Sequence, residues 1–363
     1  MIRQVMLKSG NCVNLGIGEP DFFAPQVVRD EARRVLEEEK IGYSPTAGLG
    51  LFCKEIQQYH GDLPGYIACV TNGSQEALFD LLLCLVEEGD EVLVPNPGFV
   101  AYPAVVRLVG GVPVQYPLRR ENNFRLIEED LFAACTERTR AIVLVTPSNP
   151  TGQCLTFQQM KSISRFAEER DLALISDEIY REIYYTDEKP TSVTEVSNKA
   201  IVLSGASKMA SMTGWRLGWA YGPREIIDKV TVAHQYTSSS ASTLAQKAGL
   251  KLFTVQGKSA VARQRRLLEA NLDLVCSWVG EELGRSFVRP QGAFYLMLSV
   301  EDFPMESLHI SLELLNDGVV TIPGAAFGSL GEGFLRLSFA CESSTIDLGM
   351  GRLKEGLARL KSL

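Results

Sequence analysis

Between residues 67 and 221 the chain alternates short, nearly unbroken apolar runs with stretches of helical spacing. The runs are Ile67–Thr71, Glu91–Val94, Val112–Tyr116, Ala141–Val145, Leu172–Ile175, Ile201–Leu203 and Leu217–Tyr221. A strand with one wet face alternates apolar and polar residues; near-continuous apolar runs mean a sheet covered on both faces. Helical segments lie between them. After Gly73-Ser74, residues Ala77, Leu78, Leu81, Leu82 and Leu85 form one apolar stripe, and a helix is expected from about Thr156 to Arg170. Strands linked through helices pair mostly in parallel. The expectation is an α/β fold: a mostly parallel, seven-stranded sheet flanked by helices.

The flanks read differently. Residues 1–24 form a loop-rich lead-in, followed by a helix carrying Val28, Ala32, Val35 and Leu36. Gly42–Gly48 is a loop, and a further helix should run to about Tyr59. Beyond Arg224 the pattern is long and helical, then two strands, around Ala293–Leu298 and Leu335–Phe339, sit between helices near 304–316 and 344–361. We expect a large domain over 42–255. A smaller α+β domain would be built from 1–41 and 256–363, with a long connecting helix near 257–283.

Composition excludes several classes. A net charge of −8 with no basic tract argues against nucleic acid or an anionic membrane surface as partner. The longest apolar stretch, Ala77–Val86, is short and cut by Asp80, so no membrane span is expected. The start, MIRQVMLKSGN, lacks an apolar signal core, which points to a cytoplasmic protein. The eight cysteines include no CxxC pair, and the three histidines, His60, His234 and His309, have no metal-ligand spacing, so no metal is expected. Two nucleotide motifs fail. The Gly16/Gly18 pair would need a third glycine at 21, which is Asp, and Gly257-Lys258-Ser259 would need one at 252, which is Leu.

In open α/β sheets ligands bind beyond the carboxyl ends of the strands, so the residues following each run matter most. Thr71 leads to Asn72-Gly73-Ser74-Gln75 at a helix start, where free N–H groups suit a phosphate. Val145 leads to Pro147-Ser148-Asn149-Pro150-Thr151-Gly152, which poises the Asn149 amide. Ile175 leads to Ser176-Asp177-Glu178-Ile179-Tyr180, a carboxylate with a tyrosine. Leu203 leads to the small-residue loop Ser204-Gly205-Ala206-Ser207 and Lys208, an amine whose pKa desolvation would lower. An anion loop, an amide, a carboxylate with a phenol, and a lysine are what pyridoxal phosphate requires.

The chain also resembles, over nearly its whole length and in order, the class I aminotransferases of fold type I. The resemblance rests on GEPDF (18–22), GYSPTAG (42–48), TNGSQEAL (71–78), NPTG (149–152), SDEIY (176–180), SK with MTGWRLG (207–208, 212–218), PQGAFY (290–295), PGAAFG (323–328) and LRLSFA (335–340). It implies that Lys208 is the Schiff-base lysine and proton shuttle, that Asp177 pairs with the pyridine nitrogen, and that Tyr180 and Asn149 bond the ring oxygen. Ser74, Gln75, Ser207 and Arg216 would hold the phosphate, and Phe99 would stack on the ring. Tyr43 would reach the phosphate of a partner subunit, making a homodimer with shared sites. Arg336 would grip the substrate α-carboxylate, and Gly18 would line the substrate pocket.

The chain departs from the family in three places. The link HGDLPGY (60–66) is short, Gly205 stands where some members have Ser, and Gln75 stands where some prokaryotic aspartate aminotransferases have Lys. The last points away from aspartate, toward a neutral or aromatic amino donor. The implied activity is ping-pong transamination with a 2-oxo acid, 2-oxoglutarate first among them. The alternatives are a C–S β-lyase using the same cofactor and, remotely, a non-enzymatic ligand-binding protein on this fold.

Overall fold

The computed structural model describes residues 1–8 and 10–362. Its strands, numbered along the chain, are β1 (Val13–Asn14), β2 (Tyr66–Thr71), β3 (Glu91–Asn96), β4 (Val112–Pro117), β5 (Thr139–Val145), β6 (Ala173–Asp177), β7 (Ile201–Gly205), β8 (Gly218–Pro223), β9 (Tyr295–Ser299), β10 (Val319–Val320), β11 (Ile322–Pro323) and β12 (Phe334–Ser338). Seven of them form one sheet in the order β2-β8-β7-β6-β5-β3-β4. Only β8 runs against its neighbours; the other contacts are parallel.

The apolar runs of the inner strands are buried because successive side chains point to opposite faces and both faces are packed. The expected two-sided burial does not hold at the edge strand β4, where only Tyr116 is buried. Ile142 and Leu144 of β5 join one core with Val70, Leu174, Val202, Trp219 and the helix residues Met160 and Ile163. Ala141, Val143 and Val145 join the other, with Leu78, Leu81, Leu82, Val105 and Val230. The helix Phe157–Glu169 starts where the sequence says it should. Thr156 accepts from the Gln159 amide, and Gln159 returns a bond to the Thr156 N–H, a reciprocal cap.

A third apolar core lies around the antiparallel sheet β11-β12-β9. It joins Leu296 and Leu298 to Leu335 and Leu337, then to Ile346, Met350, Leu353 and Leu357 of the C-terminal helix Ser343–Lys361. The helix Val255–Ser277 spans 23 residues and contributes Leu268, Leu272 and Val275 to this core. It ends in a wider turn over Trp278–Glu282. The 1–24 lead-in is less irregular than its sequence suggests: Ile2–Lys8 is helical, and β1 pairs in parallel with β10. Seven residues with apolar positions only at Ile2, Val5, Met6 and Leu7 are too short for periodicity to register. Among the described residues no helix is long and apolar enough to cross a membrane.

Candidate active site

The strand ends deliver their side chains to one cavity of about 420 Å3. Gly18, Ser74, Gln75, Phe99, Asn149, Asp177, Tyr180, Ser207, Lys208, Arg216 and Arg336 all line it. Tyr43 does not; it is 94% exposed.

Lys208 sits in a single helical turn, Ala206–Met209, that begins as β7 ends. The Gln264 side chain donates to its carbonyl at 2.8 Å and fixes the turn. Its Nζ donates to the Gly18 carbonyl at 2.7 Å. Burial is the main cause that lowers its pKa to about 8, and Arg336 and Arg216 push the same way. Gly205 meets backbone: a Cβ there would lie 2.7 Å from the Leu217 carbonyl oxygen and 2.9 Å from the Gly218 Cα. The position where some members of the family carry serine is thus tightly packed against backbone here.

Asp177 is the last residue of β6 and is buried. Oδ1 accepts from the Ile179 N–H at 3.1 Å and Oδ2 from the Tyr102 hydroxyl at 2.9 Å. Burial raises its pKa to about 6, against the pull of those two bonds and of Lys208. Glu178 faces away, accepting from Ser176, Ser192 and the Val193 N–H beside Arg181. Of the two adjacent acids, only Asp177 serves the cavity. Tyr180 shares a 2.9 Å hydroxyl contact with Tyr295, and burial holds its pKa well above the ordinary phenol range.

Arg336 is buried on β12. Nη1 donates to Asn149 Oδ1 at 3.0 Å and Nη2 to the Gly16 carbonyl at 2.6 Å, while Nε has no partner. The guanidinium lies 4.2 Å from the Tyr295 ring centroid and 4.7 Å from that of Phe327. Because Asn149 accepts through its oxygen, its NH2 group is left as the donor toward the cavity.

Opposite, Gly73 begins the helix Ser74–Leu85 with φ of +96°, a conformation suited to glycine. A Cβ there would collide with the Arg216 guanidinium. The first-turn amides of Ser74 and Gln75 have no acceptor within the helix. Arg216 donates to the carbonyls of Thr213 at 2.9 Å and Asn72 at 3.1 Å, which sets it beside that helix start.

Sequence reasoning missed several lining residues. Tyr102 and Tyr295 supply hydroxyl partners to Asp177 and Tyr180; Tyr295 lies within the PQGAFY motif, but its contact depends on packing. Ile2 and Met6 reach the cavity from the short N-terminal helix, and Phe327 does so from the turn after β11.

These residues fit a phosphorylated pyridine aldehyde. Asp177 is a buried carboxylate without a cationic salt-bridge partner among the described residues, and Arg336 is a buried cation without an anionic one. Buried charges are normally paired, and a pyridinium and a substrate carboxylate would complete both. The amides of the helix start and Arg216 suit a phosphate dianion. Lys208 supplies the amine.

Such a site on such a sheet defines a fold type I pyridoxal-phosphate enzyme. The sequence profile of aminotransferase class I and II matches residues 10–353, and the chain belongs to that family. It is a pyridoxal-phosphate-dependent aminotransferase. It is 35% identical to the probable N-acetyl-LL-diaminopimelate aminotransferase of Bacillus subtilis, over 94% of this chain and 88% of that one. It is 34% identical to aromatic-amino-acid aminotransferase 2 of Thermococcus litoralis, over 96% and 92%. The structure of Thermus thermophilus aspartate aminotransferase with maleate superposes with a TM-score of 0.91 at 32% identity, covering 98% of this chain and 94% of that one.

Proposed function

We propose that the enzyme moves an amino group from a neutral or aromatic L-amino acid to a 2-oxo acid, 2-oxoglutarate first among them, in a ping-pong cycle. The cavity wall carries this reading. Its apolar lining includes Ile2, Met6, Ile17, Val100, Ile322 and Phe327, and its basic side chains, among the described residues, are Lys208, Arg216 and Arg336. With the amine, the phosphate and the α-carboxylate assigned to those three, no further cation among the described residues remains in the wall for a distal carboxylate. Aspartate is therefore less favoured as donor.

In this reading Arg336 binds the α-carboxylate through its fork, aided by the Asn149 carbonyl that orients it. Pyridoxal phosphate, when bound, supplies an electron sink for the carbanion at Cα. Asp177 would keep the ring nitrogen protonated, and Tyr180 and the Asn149 NH2 would bond the ring oxygen. Phe99 would lie against the ring. Ser74, Ser207, the Gln75 amide and Arg216 would hold the phosphate. Lys208 would supply the amine that holds the cofactor aldehyde and, when free, would act as the base for the substrate Cα proton and as the acid that returns it. Gly18 leaves room beside Tyr295: a Cβ there would lie 2.7 Å from the tyrosine hydroxyl oxygen. We further assign residues 42–255 to a large domain and 1–41 with 256–363 to a small one. The active form is a cytoplasmic homodimer in which Tyr43 reaches the partner's phosphate.

The test is a half-reaction screen: purified holoenzyme is mixed with each amino acid and the cofactor's visible band is followed. Bleaching should be fastest with apolar and aromatic donors, and 2-oxoglutarate should restore the band. A screen in which aspartate alone reacts overturns the donor assignment. Pyruvate and ammonia released from cystathionine without any acceptor would mark the lyase instead.

A further inference from the structure

Behind the phosphate-binding turn, outside the cavity, three ligand-type side chains converge. Glu76 and Asp80, four residues apart on the helix Ser74–Leu85, share one face. His234, on the helix Arg224–Thr237, meets them there. Its Nδ1 lies 3.4 Å from Glu76 Oε2 and 3.4 Å from Asp80 Oδ2. All three donor atoms fall within 4.8 Å of one another. Asp80 and His234 are fully buried. Neither carboxylate oxygen of Asp80 receives a hydrogen bond, and His234 Nε2 has no partner either.

Left to themselves these groups are poorly matched. Two carboxylates face one imidazole, and a single Nδ1–H can point at only one acceptor. A buried carboxylate with no hydrogen bond costs several kcal/mol in general, unless it is paired or binds a metal. We propose that Glu76, Asp80 and His234 bind a divalent transition-metal cation of the zinc class.

The donor set and geometry support that class. One imidazole nitrogen with two carboxylate oxygens is a zinc-type set, and two negative charges balance a divalent cation. Bonds of about 2.0–2.1 Å at tetrahedral angles put neighbouring ligand atoms about 3.4 Å apart, as His234 Nδ1 is from each carboxylate. Ser238 Oγ lies 3.3 Å from the same nitrogen, and it or a water would complete four-coordination. Calcium and magnesium need six or more oxygens, which these three side chains cannot supply.

The surroundings give the ion a structural task. Glu76 Oε2 also accepts from the Asn72 N–H at 2.5 Å and from Asn72 Nδ2 at 3.2 Å. Asn72 Nδ2 bonds Ser238 Oγ at 3.1 Å, and the Asn72 carbonyl receives Arg216. Such outer bonds orient metal ligands. The cation would clamp the strand-end turn to the helix Arg224–Thr237, behind the phosphate site and apart from the reaction. Sequence spacing could not reveal it, because the histidine lies on a different helix, distant along the chain from both acids.

The experiment uses untagged holoenzyme, stripped with a chelator, reloaded with Zn2+ or Co2+, desalted and analysed for metal. About one equivalent per chain should be retained, with a Co2+ spectrum of tetrahedral intensity. Loss of an outer partner costs about 10–100-fold in affinity, so His234→Ala and Asp80→Asn should lose at least that much. His309→Ala, at an exposed histidine, should lose none. If the buried variants fail to fold, Glu76→Gln and anomalous scattering from the Co2+-loaded wild-type crystal decide: the peak must lie between the three side chains. Failure of the wild-type protein to retain metal, full retention in the folded variants, or a peak elsewhere overturns the proposal.

Discussion

Lys208 and Asp177 are tuned in opposite senses by the same burial, and each shift yields a test. With its pKa lowered to about 8, Lys208 in the cofactor-free protein is about 10% neutral at pH 7. An unperturbed lysine would be well under 1% neutral. The rate at which the apoenzyme takes up the cofactor aldehyde should therefore climb from pH 6 to about 8 and then level off, followed by absorbance in a stopped flow. A climb that continues to pH 10 would mean an ordinary exposed amine. Lys208→Ala should lose at least about 10³-fold in turnover, the scale of a general acid–base group. Asp177 has its pKa raised from 3.8 to about 6. The folded apoenzyme thus holds a proton that the unfolded chain gives up, so this group's stabilisation is complete at low pH and is lost as pH rises from about 4 to 6. Asp177→Asn should raise apoenzyme stability above pH 6 by on the order of 1–3 kcal/mol in denaturant titrations, while abolishing transamination. A variant less stable at pH 7 would show that Asp177 does not sit uncompensated. These residues were legible in the sequence because each follows a strand at the binding end of the sheet. Their hydroxyl partners, Tyr102 and Tyr295, were not, since a hydrogen bond across 75 or 115 residues leaves no local pattern.

At the level of elements, the sheet could be read in advance because burial on both faces writes itself as unbroken apolar runs. What could not be read was how closely the elements approach. A Cβ on Gly73 would collide with Arg216, and one on Gly218 would collide with the backbone of Gly73 and Ser74. The helix start proposed to hold the phosphate is thus pressed against the beginning of β8 with only glycine between them. Gly73→Ala must adopt φ of +96° and displace the guanidinium. Strain of this kind costs about 1–3 kcal/mol. If half of it falls on the phosphate site, cofactor affinity should drop by about 3–10-fold, a loss readable by dialysis and titration of the apoenzyme. Unchanged affinity would mean that the helix start does not hold the phosphate. The Ile2–Lys8 helix marks the opposite limit. It is invisible to periodicity, yet it brings Ile2 and Met6 to the cavity wall, where they bear on donor choice.

Taken as a whole, the molecule leaves several large aromatic side chains exposed. Tyr43 is 94% exposed, Phe23 84% and Tyr236 82%. Scattered exposed apolar residues are ordinary, but Tyr43 lies in the GYSPTAG motif, whose resemblance implies a reach into a second copy's phosphate site. Its backbone neighbourhood is fixed: the Gly42 carbonyl accepts from Thr243 at 2.7 Å, and the buried Ser44 hydroxyl donates to the Ala241 carbonyl at 3.1 Å. The backbone on both sides of the exposed phenol is thus anchored to the 241–243 segment. A hydrogen bond to a charged group contributes about 1.5–3 kcal/mol, so Tyr43→Phe should weaken cofactor binding by about 10–100-fold without disturbing the fold of either copy. If the site is shared, dilution through the dimer dissociation range should release cofactor from wild-type enzyme in step with the fall in sedimentation coefficient. Tyr43→Phe would already have lost this bond and should show a shallower coupling. A monomer that keeps its cofactor on dilution, with Tyr43→Phe indistinguishable from wild type, would place the whole site within one chain.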